Sequence, residues 1–364
     1  MTTAGSFCRS ASERVLPNSM HAIQVPAGGP SNAAAPTSYL PCVTFAPGQI
    51  KAAVGEQRIG PLVAERTTRQ RFFYGIEVTA SGANGRPTCL DFNQFLPLLP
   101  TFVSVVWLGQ RYWDVEPVGE VESLQLAHHL ATHIPVLPHL SAYRLESERL
   151  DQFLALNFSS LLAVRGDQVH EGQTFRISLP MVEQSRRQRG EKISICVPGY
   201  PEGYTSLGDF PQNSTRNMEY LKAKIDAGAD CIITQICYRP EVIVEFVKDC
   251  RAAGITVPIL VGLITPESFR SYSRMEQIAG VYLPSDLSEE LVQLQSPQEG
   301  DTKPDQDLTK QFFISLTVRI VRHVLDADVG IWGFHFFTLN RFRPVQAVLK
   351  ELRELHLLKD PDQA

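Results

Sequence analysis

No apolar run in this 364-residue chain approaches the roughly 20 residues that a membrane-spanning helix needs. No short apolar leader of the secretory kind is present either. Cysteine is sparse and unpatterned: Cys8, Cys42, Cys89, Cys196, Cys231, Cys237 and Cys250 stand singly, with no Cys-x-x-Cys pair. An odd, scattered set on mostly apolar segments points to a reducing compartment, and hence to a cytoplasmic protein. An excess of either charge is also lacking. Lys and Arg total 34 against 39 Asp and Glu, both signs are spread along the chain, and no basic face suited to nucleic acid stands out. The glycine-rich dinucleotide fingerprint, the P-loop and the Gly-x-Ser-x-Gly elbow are missing. So is His-Glu-x-x-His: His128, His129 and His133 share one helical stretch without a partner carboxylate motif, and no metal is expected.

What is present is a large α/β pattern. The length allows one domain of about 250 residues plus tails, and a hydrophobic content of 43% supplies a core. Residues 1–45 are rich in Ala, Ser, Pro and Gly without periodicity and read as a disordered tail. A transit peptide is the other reading, on Arg9 and Arg14 among serines, with Glu13 against it. Residues 46–364 form the folded domain, with a polar, partly helical segment over 50–70.

The stretch from Ile193 to Tyr238 sets the pattern. An apolar run ends in a Gly/Pro turn, and a helix follows with Met218, Leu221 and Ile225 on one face. Gly228 closes that helix and a second apolar run begins at Cys231. This is a βαβ unit, hence a parallel pair with a right-handed crossover. Eight such strands are expected: Phe72–Val78, Phe102–Trp107, Ile134–Leu140, Leu161–Val164, Ile193–Val197, Cys231–Ile236, Val257–Leu263 and Gly330–Phe336. Helical patterns alternate with them: Val121–Ala131, Glu146–Phe158, Phe175–Arg187, Thr215–Ala227, Pro240–Ala253, Glu267–Ile278, Leu308–Leu325 and a last one over Pro344–Leu357. Continuously apolar strands suit burial on both faces, and the order predicts a closed (β/α)8 TIM barrel. The third strand fits least well, because Pro135 and Pro138 remove ladder donors. The polar stretch Gln295–Asp307 reads as an exposed loop.

Ligands of such barrels sit at the carboxyl ends of the strands. Reading that edge gives Glu77, Trp107, His139, Arg165, Asp167, Tyr200, Gln235, His335 and Arg341. Glu77 interrupts an apolar strand, where a carboxylate is costly unless it is paired or protonated, so it serves chemistry or a structural ion pair. Asp167 reads equally as a turn aspartate and Arg165 as its partner. Gln235 could simply cap backbone, and His139 could be a satisfied core histidine. No lysine lies in any strand candidate, which disfavours Schiff-base chemistry.

At these residues the chain resembles the methylenetetrahydrofolate reductase family. The matching pieces occur in family order over about residues 70–345: Glu77, LLAVRGD (161–167), ICVPGYPEGY (195–204), LKAKIDAGADCIITQ (221–235), AAGITVPILVGLITP (252–266) and GFHFFTLNR (333–341). The resemblance implies a barrel carrying FAD, which is reduced by NADPH or NADH and then reduces 5,10-methylenetetrahydrofolate to 5-methyltetrahydrofolate. It therefore implies a flavoprotein oxidoreductase of one-carbon metabolism, tetrahydrofolate interconversion and methionine biosynthesis. Glu77 matches the family's proton donor, and Asp167 the aspartate that tunes the flavin. Trp107, His139, Arg165, Gly166, Tyr200, Tyr204, Asn217 and Lys224 match the FAD side. Gln235, Phe337 and Arg341 match the folate side.

The chain departs from the family at several of these points. Val78, Thr79, Ala80 and Ser81 stand where two aromatics and two prolines are usual, and Val106 where a threonine is. Tyr204 replaces a histidine and Asn217 an aspartate. Cys237 and Phe337 replace folate-side aromatics, the latter without the hydroxyl. These changes bear on FAD affinity and rate. They leave a second reading open, that of a barrel retained for folate or flavin binding or for regulation. Glu77, Asp167, Gln235 and Arg341 are all kept, which favours the enzyme. Many animal members carry a further domain that binds S-adenosylmethionine. The given chain ends shortly after Arg341, so no counterpart of that domain, and no feedback inhibition through it, is expected. Self-association into a homo-oligomer is compatible with the resemblance.

Overall fold

The computed structural model describes residues 39–51, 57–82, 85–107, 114–166, 170–203, 214–294 and 306–359. Eight parallel strands close into a barrel: β1 (Phe73–Thr79), β2 (Phe102–Val106), β3 (Val136–Ser141), β4 (Ser160–Val164), β5 (Ser194–Gly199), β6 (Cys231–Thr234), β7 (Ile259–Ile264) and β8 (Gly333–Phe337). Each strand pairs with its neighbour in sequence, and β8 returns to β1 with Phe336 opposite Ile76. The expected (β/α)8 fold is therefore the observed one. Strand side chains alternate between the two faces. Phe73, Phe102, Leu137, Leu162, Cys196, Ile233 and Leu260 cluster inside the bore. Tyr74, Ile76, Val78, Val103 and Val105 join the larger cluster that packs against the helices.

The third strand forms despite its prolines. Pro135 lies just before β3, and its carbonyl, which proline keeps, accepts from the Val103 amide at 3.0 Å. The expected helices appear with shifts of a few residues at their ends, as with Ser214–Asp226 and Arg343–Glu354. A helix over Ser285–Leu294 was not among those expected.

The polar segment before β1 supplies the barrel's floor. Helix Ile59–Thr68 sets Ile59 and Val63 into the inner cluster. Its first amides, which no helical carbonyl can satisfy, are met by the wall. Ile59 N donates to Ser160 Oγ at 2.9 Å and Gly60 N to Ser194 Oγ at 2.7 Å. A Cβ at Gly60 would stand 2.5 Å from that Ser194 oxygen, so the contact requires glycine. The aspartate closing the DAGAD run works at this same end. Asp230 Oδ2 accepts from Ile195 N at 2.6 Å and from Arg186 at 2.8 Å.

Two expectations are corrected here. Residues 39–45, placed with the tail, pack on the barrel instead. Cys42–Thr44 pairs in parallel with Cys89–Asp91, Tyr39 donates its hydroxyl hydrogen to the Ala80 carbonyl at 2.9 Å, and Phe45 stacks on Phe92. Residues 1–38 lie outside the described residues. The cysteines are not all single thiols either: Cys42 and Cys89 form a disulfide, with Cα atoms 4.5 Å apart. This removes the ground for reading a reducing compartment from their spacing. No described helix is long and apolar enough to cross a membrane.

Candidate active site

Glu77 lies on the inner face of β1, four residues after Phe73. It is 9% exposed, and among the described residues it has neither an ion pair nor a side-chain hydrogen bond. Burial alone pushes its carboxyl up to about 8. The structural salt bridge that a buried carboxylate could have served is not found there. Its position is fixed through the backbone instead, since Thr338, just past β8, donates its hydroxyl hydrogen to the Glu77 carbonyl at 2.5 Å. The following residues are tied down as well. Thr79 N donates to Asn340 Oδ1 at 2.9 Å, and Asn340 Nδ2 donates to Thr88 Oγ1 at 2.7 Å.

Two histidines share the bore. His139 on β3 is 7% exposed, its Nε2 has no partner, and burial holds it down to about 3. His335 on β8 is fully buried and is likewise held to about 3, by burial first and by His139 second. Its Nε2 is 2.7 Å from Ser104 Oγ on β2. Both imidazoles are therefore neutral across the ordinary pH range. His335 lies below the strand ends where the sequence placed it. Ser104 was not singled out at all, because a serine in an apolar strand reads as a small core residue.

Beside the bore a cleft of about 280 Å³ opens between the ends of β4 and β5 and helix Ser214–Asp226. Four of the predicted residues line it together: Arg165, Tyr200, Asn217 and Lys224. Leu179, Met218, Leu221 and Phe246 give it an apolar wall. The sequence read Met218 and Leu221 only as a core-facing helix stripe. Lys224 is 8% exposed and donates to the Pro198 carbonyl at 3.2 Å. Burial lowers its ammonium to about 8, short of what a bound counter-charge would restore. Asn217 Nδ2 is buried without a partner. Gly166, next to Arg165, has φ +86° and packs so closely on Ser141 that a Cβ would meet its hydroxyl at 2.4 Å.

The remaining predicted residues divide. Gln235 follows β6; its amide donates to the Gly199 carbonyl at 2.7 Å, and its side-chain oxygen accepts from Ile236 N at 2.8 Å. Phe337 ends β8 with its ring 4.8 Å from His335. Arg341 is at the rim, its side chain 72% exposed and 3.9 Å from the Glu267 carboxylate. Trp107, expected beside the cofactor, packs edge-on to Phe153 at 5.9 Å within the layer between barrel and helices. Asp167 and Tyr204 lie outside the described residues. His128 stacks on Phe158, while His129 and His133 contact Phe45. Among the described residues no three His, Cys, Asp or Glu side chains gather as a metal site.

The family model described as methylenetetrahydrofolate reductase matches residues 65–353, the whole barrel. The chain belongs to this family. A methylenetetrahydrofolate reductase from Schizosaccharomyces pombe is 30% identical over 273 residues, covering 70% of this chain and 40% of that protein. Probable methylenetetrahydrofolate reductases from rice, named for NADH, and from Caenorhabditis elegans, named for NADPH, are 28% and 27% identical. They cover 70% and 81% of this chain but 43% and 44% of their own length. The chain thus spans less than half the length of these curated relatives. Among solved structures, a Clostridium thermocellum protein described as binding two copies of 5-methyl-5,6,7,8-tetrahydrofolic acid shares the fold. Its TM-score is 0.53 at 14% identity, over 81% of this chain and 98% of that one.

Proposed function

We propose that this methylenetetrahydrofolate reductase family member reduces 5,10-methylenetetrahydrofolate to 5-methyltetrahydrofolate, with FAD resident and NADH or NADPH as the reductant. The observation that carries the reading is Glu77, a buried carboxyl kept protonated near neutral pH by the dryness of the bore. The reaction consumes one hydride and one proton. Opening the five-membered ring of the substrate needs that proton on the leaving nitrogen, because an amide-like anion is too poor a leaving group. Glu77 gives its proton to that nitrogen as the carbon–nitrogen bond breaks. The iminium carbon left behind then accepts the hydride and becomes the methyl group. Glu77 regains its proton from solvent at the mouth.

The cleft residues fit the cofactor. A buried ammonium with donors to spare, Lys224, and an orphaned amide, Asn217, suit a diphosphate and its ribose, and the Leu179–Leu221–Phe246 wall suits a flat ring system. A bound flavin supplies the relay of hydride between nicotinamide and folate. Arg165 and Gly166 at the end of β4 and Tyr200 at the end of β5 would hold it, with His139 as a further contact from β3. Asp167 tunes its reduction potential. Gln235 orients folate and nicotinamide, Phe337 packs on the pterin, and Arg341 draws the folate's glutamate tail.

The test is an anaerobic half-reaction experiment on the purified chain. The protein should be yellow and should bleach with NADH or NADPH, and methylenetetrahydrofolate should restore the colour. Glu77→Gln should keep the bleaching and slow the recovery at least about 100-fold. Recovery at the normal rate in that variant would remove Glu77 as the donor. A colourless protein that still binds folate would favour the second reading, a barrel kept for binding.

A further inference from the structure

Beneath Glu77 the bore holds a polar layer that the proposed chemistry leaves unused. Ser104 is in register with Glu77 across the parallel β1–β2 ladder, and neighbouring strands lie roughly 4.8 Å apart, so the two side chains leave the same face side by side. Ser104 Oγ is in turn 2.7 Å from His335 Nε2. The imidazole is clamped, lying parallel to Phe102 at 5.9 Å and edge-on to Phe337 at 4.8 Å. Its other nitrogen, Nδ1, is buried without a partner, as is His139 Nε2. Orphaned buried polar atoms carry the full cost of desolvation with no bond in return, so apolar side chains would fill this layer more stably.

The tautomer follows from that cost. If Nε2 carries the hydrogen and donates to Ser104, the orphan at Nδ1 is a bare lone pair, which is more tolerable than an orphaned N–H. The serine hydroxyl then accepts from His335, and its own hydrogen is free. One acceptor within reach is the Ile76 carbonyl, at a long 3.5 Å. The register sets the Glu77 carboxyl on the same face of the neighbouring strand, as the acceptor to be engaged when substrate binds.

We propose that Ser104, oriented by His335, is a positioning residue for Glu77: its hydroxyl hydrogen engages the carbonyl oxygen of the neutral carboxyl and turns the acid's O–H toward the mouth. The inference rests on Glu77 as proton donor. A carboxylic acid has one donor and one acceptor end, and a rotated acid would present the wrong one to the leaving nitrogen. Hydrogen bonds of this kind commonly tighten only once substrate is bound. Among the described residues, the titratable side chains sharing the bore with Glu77 are His139 from β3, His335 from β8 and, in the inner apolar cluster, the thiols of Cys196 and Cys231. Arg165 stands at the end of β4, and Asp167 beyond it lies outside the described residues.

The experiment separates the two half-reactions by stopped flow across pH 6–10 for Ser104→Ala, with Ser104→Thr as the conservative variant. Flavin bleaching by the nicotinamide should stay within about twofold of wild type. Flavin recovery with methylenetetrahydrofolate should slow about 10- to 100-fold at saturating folate, with the alkaline limb of its pH profile displaced by about half a unit or more. Ser104→Thr should restore the rate to within about threefold. In a Glu77→Gln background Ser104→Ala should cost nothing further, because the two act as one unit. Equal loss in both half-reactions, or a slowed recovery with an unmoved alkaline limb, would reduce Ser104 to packing and overturn the inference. Should Ser104→Ala not fold, His335→Gln takes its place with the same expectations. If Glu77→Gln alone leaves folate reduction intact, the donor assignment fails. If Glu77→Gln is inactive and Ser104→Ala normal, only the positioning role fails.

Discussion

The Lys224 ammonium reaches from helix Ser214–Asp226 to the Pro198 carbonyl at the end of β5, 3.2 Å away. That bond leaves donors unused on a cation whose charge is already penalised by burial. On the proposed function, Lys224→Met should therefore weaken FAD at least about tenfold while leaving the melting temperature close to wild type. The lysine's proton is lost as pH rises through about 8. FAD affinity of the wild type should thus fall above that pH, and the variant should lose this dependence. Flavin fluorescence titrations at pH 7 and 9 read both effects.

Glu77 makes a second prediction, on stability. Its folded carboxyl titrates near 8, above the usual carboxylate range. Between about pH 4.5 and 8 the folded chain therefore holds a proton that the unfolded chain has released, and stability falls as pH rises through that window. Glu77→Gln removes the dependence. The variant should match wild type at pH 5 and exceed it by about 2–4 kcal/mol at pH 8. Urea melts of both proteins at the two pH values read the difference. A constant offset would mean that Glu77 is not desolvated as described.

Cys42 and Cys89 supply the third. Their disulfide closes a separation of 47 residues and fastens the segment that carries Tyr39 and Phe45. Replacing both with serine should cost about 2–4 kcal/mol, and a reducing agent should lower the melting temperature of wild type but not of the double variant. Peptide mapping without reductant should recover the two cysteines linked. Recovery of both as free thiols from the oxidised protein would rule the bond out.

The barrel was legible because its signal is local. Runs such as Ile193–Val197 and Cys231–Ile236 are apolar on both faces, and the turn glycines between them are in place, so tertiary packing had little to override. Pro135 looked damaging only because a sequence does not say which backbone group a residue must offer; there it is the carbonyl. Glu77, Arg165, Tyr200 and Lys224 were legible as polar residues at strand ends or on a matched motif. Ser104 was not, because its meaning comes from His335, 231 residues away and paired only by closure of the barrel. Trp107 ends its strand with the ring turned onto Phe153, in the outer layer. A one-residue difference at a strand end turns a side chain from the mouth to the outer layer. The Cys42–Cys89 bond could not be read from spacing that carries no pattern.

Helix Ile59–Thr68 makes the bore a blind alley. With its base stoppered, whatever reaches Glu77 enters and leaves through the same opening. On the proposed chemistry, a spent nicotinamide has to back out before a pterin can come in, so the two reactants must queue for one doorway. The pace of departure at that doorway, rather than bond breaking at its end, then becomes a natural brake on the cycle.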